Sequence, residues 1–145
     1  MSRLGRSSLK ARPNVGKIYQ QALRQEEQFR ARHTKLPTYH LSGGRFGPDN
    51  IQFRGGVAWL IDNKFTDRDE VWIKPHDIQS ISSQVRRIRK QGVNAGLAIE
   101  MWFRRRRMRR LIRFKDVDDI PSDRTLKVWV TDKTIRSEWV KGRRG

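Results

Sequence analysis

The sequence has no cysteine, few acids and no long apolar run, and each shortage excludes something. Without cysteine there is no disulfide, no thiolate nucleophile and no cysteine-ligated zinc site. The three histidines, His33, His40 and His76, are scattered without metal-ligand spacing and read as surface or edge residues. No stretch approaches the ~20 apolar residues of a membrane span, and the N-terminal "MSRLGRSSLKARPNVGK" lacks the apolar core of a secretory signal. The expectation is a soluble cytoplasmic protein with no membrane partner. The same segment is basic, serine-containing and acid-free, which leaves organellar targeting open.

Acids number 15 against 33 Lys and Arg, giving a formal charge of +18 and a pI near 11.5. Self-repulsion of that size opposes compaction and fits a chain whose partner is a polyanion, above all nucleic acid. The 145 residues suit one domain with one core. We expect a flexible basic arm over 1–14, a single domain over 15–131, and a short amphipathic C-terminal helix with a basic tail over 132–145.

Asn14 offers a helix N-cap, and Val15, Ile18, Ala22 and Phe29 share one face of a helix ending about Arg32. Advancing about 100° per residue from Ile18 puts Glu26 at roughly 80°, inside that stripe, and Glu27 at about 180°, toward solvent. A carboxylate on an apolar face is costly unless paired, so Glu26 needs a reason. An arginine partner or a solvated helix end would be a structural one.

"TYHLS" has strand character and runs into the glycine-rich "GGRFG". "NIQF" reads as a strand, "GG" at 55–56 as a hairpin turn, and "VAWLIDN" as a central strand. Alternation puts Val57, Trp59, Ile61 and Asn63 on one face and Ala58, Leu60, Asp62 and Lys64 on the other. A loop, "FTDRDEVWIKP", leads to a helix from about Asp77 to Gln91, and "NAGLAIEMWF" is a further apolar strand, completing a parallel crossover over 57–103. "RRRRMRRLIRF" combines a hairpin tip with a strand, and "TLKVWV" is one more strand.

Phosphodiester hydrolysis needs a metal on hard oxygen ligands, an activated water and charge relief at the phosphate. Asp49 at the start of one strand and Asp62 at the end of its hairpin neighbour are positioned to share one Mg²⁺, with Lys64 beside Asp62. Glu26 would add a third acid if the first helix packs on this sheet. Against this, Asp-x-Lys is common on strands and Pro-Asp most often just starts a turn.

"GPDN" followed by "AWLIDNKFT" resembles the PD-(D/E)XK nuclease motif, and over about residues 15–103 the chain is most similar to archaeal- and phage-type Holliday junction resolvases. The resemblance implies an α/β fold with a restriction-endonuclease-like core, a central mixed β-sheet flanked by helices. It implies a metal-dependent endonuclease with Asp49, Asp62 and Glu26 as metal ligands, Lys64 as the water-activating residue, and Ser42 of "HLSGG" as a phosphate contact. Gln84 matches the polar position that follows the motif strand. The cofactor would be Mg²⁺, with Mn²⁺ as a substitute, and the substrate a four-way junction cut by a homodimer, at the nucleoid or in a phage-infected cell. The second acid is Asp rather than the more usual Glu, and Asn63 stands where an apolar residue is usual, tolerable at a strand end near solvent.

"RRRRMRR" gathers Arg104, Arg105, Arg106, Arg107, Arg109 and Arg110 with no acid nearby in the sequence. Like charges so dense repel unless an anion is bound, so these arginines, with Arg45, are expected on the DNA backbone. Of five tryptophans, Trp59 and Trp102 read as core, while Trp72 suits stacking on a junction or a dimer interface. Other PD-(D/E)XK activities (mismatch, nicking or restriction type) and a non-catalytic nucleic-acid binder, such as a ribosomal protein, remain as alternatives.

Overall fold

The computed structural model describes residues 15–32, 38–40 and 48–141, without the side chains of 15–19 and 40. The elements are α1 (Val15–Arg32), β1 (Thr38–His40), β2 (Asn50–Arg54), β3 (Val57–Thr66), β4 (Glu70–Ile73), α2 (Pro75–Lys90), β5 (Ala95–Phe103), β6 (Met108–Phe114), a 3₁₀ turn (Val117–Asp119), β7 (Arg124–Thr131) and β8 (Thr134–Lys141). Two sheets form, β1-β2-β3-β5-β6 and β4-β7-β8. The first is mixed: β3 and β5 are parallel, and every other pairing is antiparallel. Helices lie on both of its faces, so the fold is α/β, a central mixed sheet flanked by helices. No helix of the described residues is long and apolar enough to cross a membrane.

Alternation along β3 divides the core. Ala58 and Leu60 face α2, where Ile78, Ile81 and Val85 meet Leu97, Ile99 and Met101 of β5. Ile73, Leu126, Val128 and Ile135 of the second sheet join this cluster. On the opposite face, Phe29 of α1 packs with Val57, Trp59, Ile61 and Ala98. Gly55 and Gly56 take positive φ of 59° and 77° in the two-residue turn of the β2–β3 hairpin, the twist that suits neighbouring strands and favours glycine. Gly96 is opposite Trp59, and a Cβ there would fall 2.5 Å from the indole.

The first helix, the hairpin and the crossover match the sequence reading. Three details differ. The segment expected as a loop after Thr66 holds β4, because Glu70–Ile73 finds a partner in distant β7. The C-terminal helix is instead β8: Ile135, Ser137 and Trp139 turn inward while Arg136 and Glu138 are exposed, a period of two. A turn with Asp132 at φ 39° folds β8 back on β7, so the boundary drawn at residue 131 cuts a hairpin. Finally, Trp102 is only half-buried, covered by the Arg109 guanidinium 4.2 Å above its ring.

Candidate active site

The β2–β3 hairpin brings the two motif acids together. Pairing ends at Asn50↔Ile61, and the Asp49 amide donates to Ile61 O at 2.8 Å. The Asn63 amide then donates to Asp49 Oδ2 at 2.8 Å, fixing the carboxyl beside the end of β3. Asp62 projects from the α2 face, and Lys64 Nζ lies 3.0 Å from Asp62 Oδ2. Glu26 comes from α1 and is 8 % exposed, whereas Glu27 faces solvent, as the helical geometry required.

Electrostatics bind the cluster into one unit. The Asp49 carboxyl is pushed up to about 8, first by burial and then by the Asp62 carboxylate, against the stabilising Asn63 amide; the Glu26 charge pushes the same way. Burial alone would lower the Lys64 ammonium, but Asp62, helped by Asp77 and Asp49, outweighs it, and the net shift is upward. The charged ammonium of Lys64 is thereby favoured over the neutral amine.

Burial beside Asp62 holds Asp49 back from ionising, and hard carboxylate oxygens suit Mg²⁺ or Mn²⁺. Among the described residues, no group of three or more His, Cys, Asp or Glu is arranged as a ready-made metal site. In this state the Lys64 ammonium occupies the place against Asp62. The donor set fits a divalent cation chemically, with Asp49 and Asp62 acting directly on one another.

Beneath the acids lies a hydrogen-bonded layer that the sequence reading missed. Asn63 is 9 % exposed, not near solvent as expected. Its Oδ1 accepts from Asn50 Nδ2 at 2.7 Å and its Nδ2 donates to Glu100 Oε1 at 3.0 Å. Arg30 closes one end on Asn50 Oδ1 at 2.8 Å, and Arg32 pairs with Glu100 Oε2 at the other. Gln25, fully buried, donates to Lys64 O at 2.7 Å and to Glu100 Oε1 at 3.2 Å. Signals existed for both: Gln25 shares the buried stripe with Glu26, and Glu100 is an acid inside the apolar "GLAIEMWF".

The arginine run is not free of acids once folded. Arg104 and Arg106 make two-pronged bonds to Asp67 and Asp69, with Nε–O distances of 2.6 and 2.9 Å. Arg109 donates to Gln28 Oε1 and Arg110 to Ile135 O. Arg105 and Arg107 stay exposed at the hairpin tip, Arg107 at φ 56°. The expectation of an acid-free run fails because the turn leaving β3 carries Asp67 and Asp69 alongside the tip, 37 residues away in sequence. Ser42 and Arg45 lie outside the described residues.

No protein-family profile matches the chain, and no curated protein sequence is recognisably similar to it. Among solved structures, the 1.6 Å structure of Hjc from Archaeoglobus fulgidus, a Holliday junction resolvase from an archaeal hyperthermophile, superposes with a TM-score of 0.50. The match covers 83 % of this chain and 84 % of that one, at 15 % sequence identity. The chain has the Hjc fold. The likeness extends over most of both chains.

Proposed function

We propose that the protein is a divalent-metal-dependent endonuclease acting on branched DNA, with the four-way junction as its principal substrate. The observation that carries this reading is the convergence of Asp49, Asp62 and Lys64 at the end of β3, with Glu26 adding its charge from α1. Asp49 and Asp62, with Glu26, would hold Mg²⁺, or Mn²⁺ in its place. The ion, when bound, supplies Lewis acidity toward the phosphate and a more acidic water.

The chain's own groups do the rest. The Asn63 amide holds the Asp49 carboxyl in one orientation. The Lys64 ammonium, 3.0 Å from Asp62 Oδ2, would face the negative charge that develops on the phosphate. Ser42 would contact a phosphate oxygen, and Arg45, Arg105 and Arg107 the backbone, giving affinity without sequence preference. Arg104, Arg106, Arg109 and Arg110 act chiefly on their protein partners. Cutting two opposed strands calls for two sites, hence a homodimer.

One observation favours a second reading. The Lys64–Asp62 contact also suits a protein that binds branched DNA without cutting it. Purified protein on a synthetic four-way junction, with and without Mg²⁺, separates the two. Metal-dependent cleavage of the junction in preference to linear duplex is expected; binding without cleavage in Mg²⁺ or Mn²⁺ leaves the binder.

A further inference from the structure

β2 stops pairing with β3 at Ile61, but β3 runs on to Thr66. Among the described residues no strand pairs with that side of the overhang. A cavity of about 770 Å³ opens there, between the two sheets, lined by Lys64, Phe65, Trp72, Ile73, Asp77 and Arg104 among others. We propose that this cavity receives a single unstacked nucleobase beside the phosphate held at Lys64. The inference rests on the nuclease reading and specifies its substrate: DNA in which a nucleotide next to the cut has left the stack.

Size is the first reason. A volume of this order is that of a small-molecule site, which typically spans roughly 300–1,000 Å³. It admits one nucleotide but not a double helix. Location is the second, since Lys64 both lines the cavity and pairs with Asp62, so whatever enters is a neighbour of the candidate catalytic group.

Charge is the third reason. In a chain of net +18, the cavity is locally balanced. Arg104 is bonded to Asp67, and Lys64 faces Asp62 and Asp77. Beyond the phosphate at Lys64, a second phosphate would meet Asp67 and Asp77 in such a place, whereas a neutral ring carries no charge to desolvate. The aromatic wall is the fourth. Trp72 is held by its Nε1–H bond to Glu70 Oε2 at 2.6 Å and by Lys127 Nζ 5.6 Å from its ring centroid. Phe65 is held by Arg104, 5.0 Å from its own centroid. Paired DNA offers such rings only sugar edges and phosphates; an extruded base offers a flat apolar face.

The test measures binding in EDTA, so it does not depend on cleavage. Four-way junctions carry 2-aminopurine at each nucleotide flanking the branch point, and affinity is compared with linear duplex. For the wild type we expect 2-aminopurine emission to change at one such position and at no position of the linear duplex. Trp72→Ala should weaken junction binding at least about fivefold, the lower end of base–aromatic stacking, with duplex binding unchanged, and Trp72→Phe should retain most of the affinity. Equal loss on junction and duplex, or no emission change at any flanking position with wild-type protein, overturns the proposal. The emission arm uses no variant, so misfolding of Trp72→Ala cannot hide the answer. Base extrusion without Mg²⁺-dependent cleavage would sink the nuclease reading and leave the pocket; cleavage without extrusion would do the reverse.

Discussion

Asn63 Nδ2 donates to Glu100 Oε1 across 3.0 Å, while the amide of the same Asn63 donates to Asp49 Oδ2. One residue thus ties a buried carboxylate on β5 to a candidate metal ligand before β2. Glu100→Ala strands Asn63, Gln25 and Arg32 at once. Because Arg32 is partly exposed, the loss should be about 3 kcal/mol, the lower end for breaking a buried ion pair. Denaturant unfolding measures it, and a variant as stable as the wild type would show that the layer contributes nothing.

The Asp49 carboxyl makes a pH prediction for metal-free protein. Its folded pKa is about 8 against an ordinary 3.8. Between these values the folded state keeps a proton that the unfolded chain has released, so stability falls as pH rises from about 4 to 8. Melting temperatures in EDTA across that window should decline for the wild type and flatten for Asp49→Asn. Parallel curves for the two proteins would refute the assignment.

Asp62→Asn and Lys64→Ala should each reduce Mg²⁺-dependent junction cleavage by roughly 10²-fold or more. Junction affinity should survive in Asp62→Asn, since removing an acid from a basic surface cannot weaken attraction to phosphate. Single-turnover cleavage and a gel-shift titration on the same preparations give both quantities. Retained metal-dependent cleavage in Asp62→Asn would defeat the nuclease reading.

The hairpin tip should divide into two kinds of arginine. Replacing Arg105 and Arg107 with Ala should lower the slope of log affinity against log salt by about 2, near one unit for each phosphate that is no longer neutralised. Replacing Arg104 and Arg106, already engaged by Asp67 and Asp69, should change it less. Equal slopes for the two double variants would mean that the aspartates yield their partners to DNA.

Much of this is readable in the chain, and the failures share a cause. Two-residue alternation puts Asp62 and Lys64 on one face, and 3.6-residue periodicity puts Glu26 inward; both signals are local. β8 reads as a helix because Ile135 and Trp139 are four apart, a spacing that suits a helix as well as a strand, and pairing with β7 decides between them. The Arg104–Asp67 and Arg106–Asp69 pairs, and the bond from Asn63 to Glu100, each join residues 37 apart. No periodicity reports such contacts. Glu100 obeys the rule that exposes Glu26 to view, an acid in apolar company, but its partners become identifiable only with the register of β5.

That register has a guardian in the buried polar layer. In a parallel pair, a slip of one residue would carry Glu100 from the α1 side of the sheet to the α2 side, away from Asn63, Gln25 and Arg32. Apolar side chains forgive such an error in part, because Leu97, Ile99 or Met101 can repack against new neighbours; a carboxylate cannot. The same layer that steadies Asp49 therefore penalises misaligned versions of the β3–β5 pair.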